Sequence, residues 1–490
     1  MNYKIMAKIQ SWILILESAF MIPPLLISIA TGDRPALRGF LTAIGISMAA
    51  AIVMQYVSRN AEKRFYAREG LVCTAMVWIV MSAAGCLPFF VSGRVPSFVD
   101  AYFEIVSGFT TTGASILSDV EMLGKGLLYW RSFSHWIGGM GVLVFFLAII
   151  PSSGRSDGYM LHILRAESPG PSVNKMVPRL RETAAILYII YCGLTALDII
   201  FLLIGRLPVF DAFCIAFGTA GTGGFAVLNS GCANYTPFAQ NVTTIFMLLF
   251  GVNFSIYYML ILKQYLQVVR DEEVRMYFAI VLLSTVFIAS NIFRFTPETQ
   301  GVEPTLRHSA FQVASIITTT GYSTVNFDLW PTFSKAILIC LMFVGACAGS
   351  TGGGIKVIRV LLLGKNLRRN AHQIFHPHEV SIVRVNGARV PEQTLINTSS
   401  YLAAYVVIVI VSFLIVSWDP GNFSMTTNFS AVMATLNNIG PGFDAVGAAS
   451  NFGAYSNLSK IIMILDMLFG RLEIFPMLAL MSASTYKRTV

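Results

Sequence analysis

The sequence predicts an all-α integral membrane protein, with four pseudo-repeated helix–pore-helix–helix units around a central pore and an N-terminal two-helix hairpin before them. Three observations carry that prediction. Hydrophobic residues fill 55% of the 490 positions and charged residues only 12%, against about a quarter charged in an ordinary soluble chain. Four glycine-centred segments recur: Thr110-Thr111-Thr112-Gly113, Thr219-Ala220-Gly221-Thr222-Gly223, Thr318-Thr319-Thr320-Gly321 and Asn437-Asn438-Ile439-Gly440, their last glycines 110, 98 and 119 residues apart. Each follows a short apolar stretch, and one motif at nearly constant spacing points to one unit copied four times. Basic residues, finally, alternate between rich and poor loops.

The elements follow in order. Residues 1–58 read as a transmembrane hairpin with spans near 10–30 and 39–57. Lys4 and Lys8 precede an apolar stretch that Pro23 and Pro24 interrupt, the pattern of a retained helix rather than a cleaved signal. Pore repeat one covers 71–150, with a helix ending near Phe90, a re-entrant stretch over 97–109 and a closing helix from Leu127. Repeat two covers 183–262, re-entering over 209–217 and closing over 238–262. Repeat three covers 274–363, re-entering over 307–317 and closing over 333–363. Repeat four covers 395–484, re-entering over 426–436 and closing from Tyr455. Apolar runs such as 186–204 are long enough to span a membrane.

The net charge of +9 gathers in four loops, at Arg59/Lys63/Arg64/Arg68, Arg155/Arg165/Lys175/Arg179/Arg181, Lys263/Arg270/Arg275 and Lys365/Arg368/Arg369/Arg384/Arg389. That alternation predicts both termini and the basic loops in the cytoplasm, the glycine loops facing outward, and one orientation for every repeat. Nucleic acid would need one contiguous basic face, so none is expected as a partner; anionic membrane lipids and a soluble protein are. The seven cysteines form no close pair with metal-ligand spacing; most read as apolar packing residues, and Cys232 as the exposed one.

Extended backbone is tolerated in a membrane only where protein buries it or water faces it. Four such segments on one axis give rings of carbonyl and hydroxyl oxygens, able to replace a cation's hydration shell. Glycine admits the required backbone angles, threonine adds stiff hydroxyls, and each short helix turns its negative C-terminal end to the axis. The residues expected to line the ion's route are Thr111, Thr112, Gly113, Ala220, Gly221, Thr222, Gly223, Thr319, Thr320, Gly321, Asn438, Ile439 and Gly440, with Asp119, Asp328 and Asp444 behind them for an outer vestibule. No carboxylate lies inside the loops, which favours a monovalent ion over a divalent one. No nucleophile–base arrangement stands out, so an enzyme is not expected, and His372, His376 and His378 read as a solvated loop rather than a metal site. The rival reading is an alternating-access secondary cation symporter coupled to protons or sodium, for which inverted repeats are expected.

The strings Ser107-Gly-Phe-Thr-Thr-Thr-Gly-Ala-Ser115, Gly218-Thr-Ala-Gly-Thr-Gly-Gly-Phe225, Thr318-Thr-Thr-Gly-Tyr-Ser323 and Asn437-Asn-Ile-Gly-Pro-Gly-Phe443 resemble the TrkH/TrkG/KtrB family of bacterial potassium transporters. So do His135-Trp-Ile-Gly-Gly-Met-Gly141 and the segment 345–356; the N-terminal hairpin is of the TrkH kind. The resemblance implies potassium as the transported ion, no covalent cofactor, and a filter at Gly113, Gly223, Gly321 and Gly440. It also implies a homodimer, a cytosolic TrkA-like nucleotide-binding ring as regulator, and a place in the bacterial inner membrane. Glycine at all four positions resembles the potassium-selective members.

The Gly- and Ser-rich segment Gly345-Ala-Cys-Ala-Gly-Ser-Thr-Gly-Gly-Gly-Ile-Lys356 should break its helix. It is a poor phosphate loop, because Val357 stands where Ser or Thr is needed. The resemblance implies a gate there, built from Ala346, Gly349, Ser350, Thr351, Gly352, Gly353 and Gly354 with Lys356. Arg471, ionisable at membrane depth, should face water or a partner. The resemblance sends it into the pore below the filter; the alternative pairs it with Asp466 or Glu473.

Overall fold

The computed structural model describes residues 1–59, 66–141, 180–295, 301–379 and 381–486. Lys63, Arg64, Arg155, Arg165, Lys175 and Arg179, and the expected continuation of the first closing helix over 142–150, lie outside them.

Among the described residues, six helical stretches are long and apolar enough to cross a membrane: Tyr3–Ala30, Arg34–Val57, Ala67–Val91, Ala184–Ile204, Glu272–Arg294 and Glu392–Ser417. The first begins at Tyr3 rather than near residue 10, because Asn2 caps it by accepting the Ile5 N–H. Pro23 and Pro24 do not end it. They fall in the first turn of Ile22–Ala30, where the missing N–H has no helical partner to lose.

Four short helices alternate with these spans: Phe98–Phe109, Val209–Gly221, Val302–Ile317 and Met425–Leu436. The first has 12 residues, a length of about 18 Å, well short of a hydrocarbon core of about 30 Å. Such a helix enters the membrane and must turn back. Ser97 and Ser424 begin two of them by accepting the N–H groups of Asp100 and Thr427, each satisfying one orphan donor of the first turn.

The closing helices depart from expectation. The sequence suggests a break in repeat three alone, yet each of the four stops. The first ends at Gly139 before Gly141 at φ 82°. The second bends by 89° between Pro237–Phe250 and Phe254–Ile261. The third is split into Thr332–Val344 and Val357–Phe375, and the fourth into Asn457–Arg471 and Phe475–Met481. The freed backbone is satisfied across repeats: Cys347 donates to the Gly251 carbonyl (3.1 Å) and Phe254 to that of Gly349 (3.0 Å). Those cross-bonds allow interrupted helices at membrane depth.

The described strands form one hairpin, Arg384–Val385 with Ala388–Arg389. Its Asn386 donates to Asp271 (2.7 Å) and accepts the Glu272 N–H (2.9 Å), fastening it to the start of the third repeat. Cys232 is buried rather than exposed; its carbonyl accepts the Gln240 amide and its N–H reaches Ser323. Cys192 and Cys340 are the exposed cysteines.

Candidate ion-conduction site

Each short helix ends in the same turn. The N–H groups of Thr112, Gly223, Thr320 and Ile439 reach back to the carbonyls of Ser107, Gly218, Ser315 and Ala434 at 2.8, 2.8, 2.8 and 2.9 Å. One residue earlier, Thr111, Thr222, Thr319 and Asn438 bond to Gly108, Thr219, Ile316 and Thr435 at 3.1, 3.1, 3.1 and 3.2 Å. These paired bonds are a Schellman cap, which forces its penultimate residue into the left-handed region. Thr111, Thr222, Thr319 and Asn438 accordingly have φ of 55°, 57°, 58° and 55°. Three of the four are β-branched residues where glycine is the usual occupant, a strained choice that persists only when the surroundings enforce it.

Two residues further on, Gly113, Gly224, Gly321 and Gly440 have φ of 80°, 76°, 85° and 100°. A methyl group on Gly113 would strike the carbonyl oxygen of Gly223; on Gly224, that of Thr320; on Gly321, that of Ile439; on Gly440, that of Thr112. The contacts pass from loop one to two, three, four and back to one. They close a ring.

In the second loop the glycine that closes this ring lies one residue beyond Gly223. Gly224, not Gly223, stands where Gly113, Gly321 and Gly440 stand, and Gly223 takes the place of Thr112. The short helix runs on through Ala220 and Gly221, so these two match Phe109 and Thr110 in position, ahead of the left-handed Thr222. Small residues that neither start nor stop a helix leave the boundary to the backbone's handedness.

The loops are buried: Thr111, Thr112, Thr222, Thr319, Thr320, Asn438 and Ile439 are each 0% exposed. Thr110 bonds Thr112 through their hydroxyls (2.8 Å), and Thr318 bonds Thr320 likewise (2.7 Å). The Thr111 hydroxyl has no hydrogen-bond partner among the described residues. In the fourth loop the amide of Asn438 spans outward instead, donating to Thr112 Oγ1 (3.0 Å) and to the Met467 carbonyl (2.9 Å). Outside the ring, Asp119 accepts the Asn229 amide (2.7 Å) and Asp328 accepts the Asp444 N–H (3.2 Å), joining the outer loops in pairs.

Two groups hold the ring from behind. His135 is fully buried, with Nδ1 2.7 Å from the Gly108 carbonyl and Nε2 accepting the Phe225 N–H at 3.2 Å. A carbonyl only accepts and an amide only donates, so the proton sits on Nδ1. Its ring also packs where a side chain on Gly223 would go. The Glu104 carboxylate, in the first short helix, accepts Arg131 (2.5 Å), the Ser115 hydroxyl and the Ile116 N–H. Arg131 also donates to the Ala226 carbonyl (3.0 Å) and lies 3.6 Å from the Phe225 ring centroid. One buried ion pair therefore fixes the residues just after Gly113 and Gly224. The sequence reading missed it, although a Glu and an Arg inside apolar stretches are themselves a signal. Glu104→Gln should remove the charge that holds Arg131. Loss of one partner from a buried pair costs about 3–5 kcal/mol, so the detergent-solubilised protein should melt several degrees lower, with ion flux reduced as well.

The interrupted segment of repeat three lies directly against these loops. Gly353 donates to Thr319 Oγ1 (2.6 Å), and a side chain on Gly352 or Gly353 would meet the Thr318 or Asn437 carbonyl. Ala346 is buried, Gly349 and Gly354 hold φ of 70° and 77°, and the Ser350 hydroxyl turns back onto the Cys347 carbonyl. Glu273, another residue absent from the sequence reading, accepts the N–H groups of Ala348 (2.7 Å) and Ile358 (3.2 Å) at the segment's two ends. Lys356 bends back to the Gly352 carbonyl.

Arg471 is the last residue before the break in the fourth closing helix. Its guanidinium donates to the Thr351 carbonyl (2.8 Å) on one side and to the Gly139 (2.6 Å) and Gly138 carbonyls on the other. Asp466 accepts the Ser412 hydroxyl (2.6 Å), and Glu473 accepts Arg359 while also lying near enough to Arg471 for their charges to interact. Arg471 thus clasps the repeat-three segment to the first closing helix through main-chain oxygens.

Comparison with known proteins agrees with this architecture. The family model described as a cation transport protein, TrkH, matches residues 39–486. The Trk system potassium uptake protein TrkH of Salmonella typhimurium is 35% identical over 99% of this chain and 100% of its own length. TrkG of Escherichia coli K12 is 31% identical over 95% of each. The crystal structure of the potassium transporter TrkH from Vibrio parahaemolyticus superposes with a TM-score of 0.86 at 30% identity, covering 99% of this chain and 100% of that one. From its hairpin to its fourth repeat, the chain belongs to the TrkH family of cation transport proteins, a transporter family and not an enzyme family.

Proposed function

We propose that this protein takes up potassium across the bacterial inner membrane through the ring of four loops. The supporting observation is the cyclic contact of Gly113, Gly224, Gly321 and Gly440 with the carbonyl oxygens of Gly223, Thr320, Ile439 and Thr112. Those oxygens, with the Thr111 hydroxyl that has no hydrogen-bond partner among the described residues, form a neutral cage. Such a cage suits a weakly hydrated monovalent ion, whereas a divalent ion asks for carboxylates. The segment from Ala346 to Gly354 is the gate and Arg471 its latch, because both touch the filter loops or the helix behind them. The protein works as a homodimer under a cytosolic nucleotide-binding ring of the TrkA type. Leu367, Ile374 and Phe375, 71%, 77% and 79% exposed on the helix that leaves the gate, offer that ring an apolar foothold.

The test is cation flux into proteoliposomes containing the purified chain and then its regulator. Downhill potassium and rubidium flux, with little lithium flux and no dependence on a proton or sodium gradient, is expected. A strict requirement for either gradient would replace the pore with a coupled symporter.

A further inference from the structure

We propose that His372, His376 and Glu379 form a three-ligand site for a borderline divalent transition-metal ion of the Zn2+ class. The site lies at the far end of the helix that leaves the intramembrane segment. In the sequence these histidines look like part of a solvated basic loop. The structure brings them together. His372 and His376 are one helical turn apart at the end of Val357–Phe375, with ring centroids 4.6 Å apart. The chain then turns back, the Glu379 N–H reaching the His376 carbonyl (3.0 Å), and this places Glu379 Oε2 3.0 Å from His372 Nε2. One ligand atom from each of the three residues lies within 4.8 Å of the others. Tetrahedral coordination at zinc–ligand distances near 2.0 Å asks for separations of about 3.3 Å, which small side-chain rotations supply.

Two features favour a cation there despite the basic loop. The site caps the C-terminal, negative end of a 19-residue helix. The nearby Arg369 is engaged by both carboxylate oxygens of Glu392, at 2.8 and 2.9 Å. Two borderline imidazoles beside one hard carboxylate suit zinc, cobalt or nickel better than magnesium or calcium. Three protein ligands leave one coordination position for water or for a group from a docked partner.

The experiment uses the full chain carrying no histidine tag, purified in detergent and dialysed to equilibrium against zinc, with bound metal read by elemental analysis. One zinc per chain is expected. His372→Ala and His376→Ala should each abolish stoichiometric binding, and Glu379→Gln should weaken it by more than the roughly 10–100-fold that loss of an outer-shell partner costs. His378→Ala, at the neighbouring exposed histidine, should leave it intact. Cobalt loaded in place of zinc should show the intense visible bands of a low-coordinate site in the parent chain and not in His376→Ala. No stoichiometric metal would overturn the proposal, leaving a simple His372–Glu379 hydrogen bond. So would binding that survives His376→Ala, or that His378→Ala removes equally.

Discussion

Gly224→Ala is expected to abolish potassium uptake, and Gly224 should prove as intolerant as Gly113, Gly321 and Gly440. Two costs act together. A residue with a side chain at φ 76° is disfavoured by about 1–2 kcal/mol. The added methyl would also drive into the Thr320 carbonyl of the next loop, a main-chain atom that cannot move without displacing the ring. A combined loss near 3 kcal/mol corresponds to about a hundredfold in ion affinity or in the population of intact filter. Rubidium uptake in cells lacking other potassium systems measures it. Gly223→Ala gives the contrast, because its methyl meets the His135 ring rather than another loop. Pairing it with His135→Ala should restore part of the flux, while Gly224→Ala should gain nothing from the same second change. Rescue of Gly224→Ala, with none for Gly223→Ala, would return the filter position to Gly223.

Arg471→Ala should raise flux in the absence of any regulator. The guanidinium contributes charge-assisted bonds to Thr351, Gly138 and Gly139, and bonds to charged groups contribute about 1.5–3 kcal/mol. If the closed arrangement loses about 2 kcal/mol relative to the open one, the open population grows by up to about thirtyfold. Arg471→Lys should fall between, since an ammonium is a point charge that does not bridge two elements with a planar fork. Flux in proteoliposomes lacking the regulator is the readout, and an unchanged or lower rate for Arg471→Ala would remove the latch assignment.

Much of this architecture was legible in the sequence, because the signals were repeated or extreme. Of the four short stretches, 97–109 and 426–436 fall within a residue of the helices Phe98–Phe109 and Met425–Leu436, whereas 209–217 stops short of the end of Val209–Gly221 and 307–317 starts late in Val302–Ile317. Most of what escaped has a common cause. Thr219-Ala220-Gly221-Thr222-Gly223-Gly224 offers three glycines, and only the sign of φ decides which closes the ring. The break at 251–253 has Gly251 alone as a local signal and is held by Cys347 donating to the Gly251 carbonyl, a tertiary contact. That at 472–474, where Glu473 and Ile474 take φ of 53° and 70°, lies between Gly470 and Pro476, a local signal that the reading of repeat four passed over. Glu104 and Arg131 lie 27 residues apart, and no local pattern pairs them. The same holds for His372, His376 and Glu379, which a turn assembles.

One covalent chain supplies all four quadrants, and they are not copies. Asparagine stands in one where threonine stands in three, and of the four interrupted closing helices the third carries the long Gly-rich segment that bonds a ring-loop hydroxyl. In a channel assembled from identical subunits every substitution is made four times over, and a gate moves in quadruplicate. Here one codon alters one quarter of the ring, so under the proposed function the cage can be tuned one quarter at a time. The price of that freedom is the loss of redundancy: no intact neighbour can stand in for a damaged quadrant.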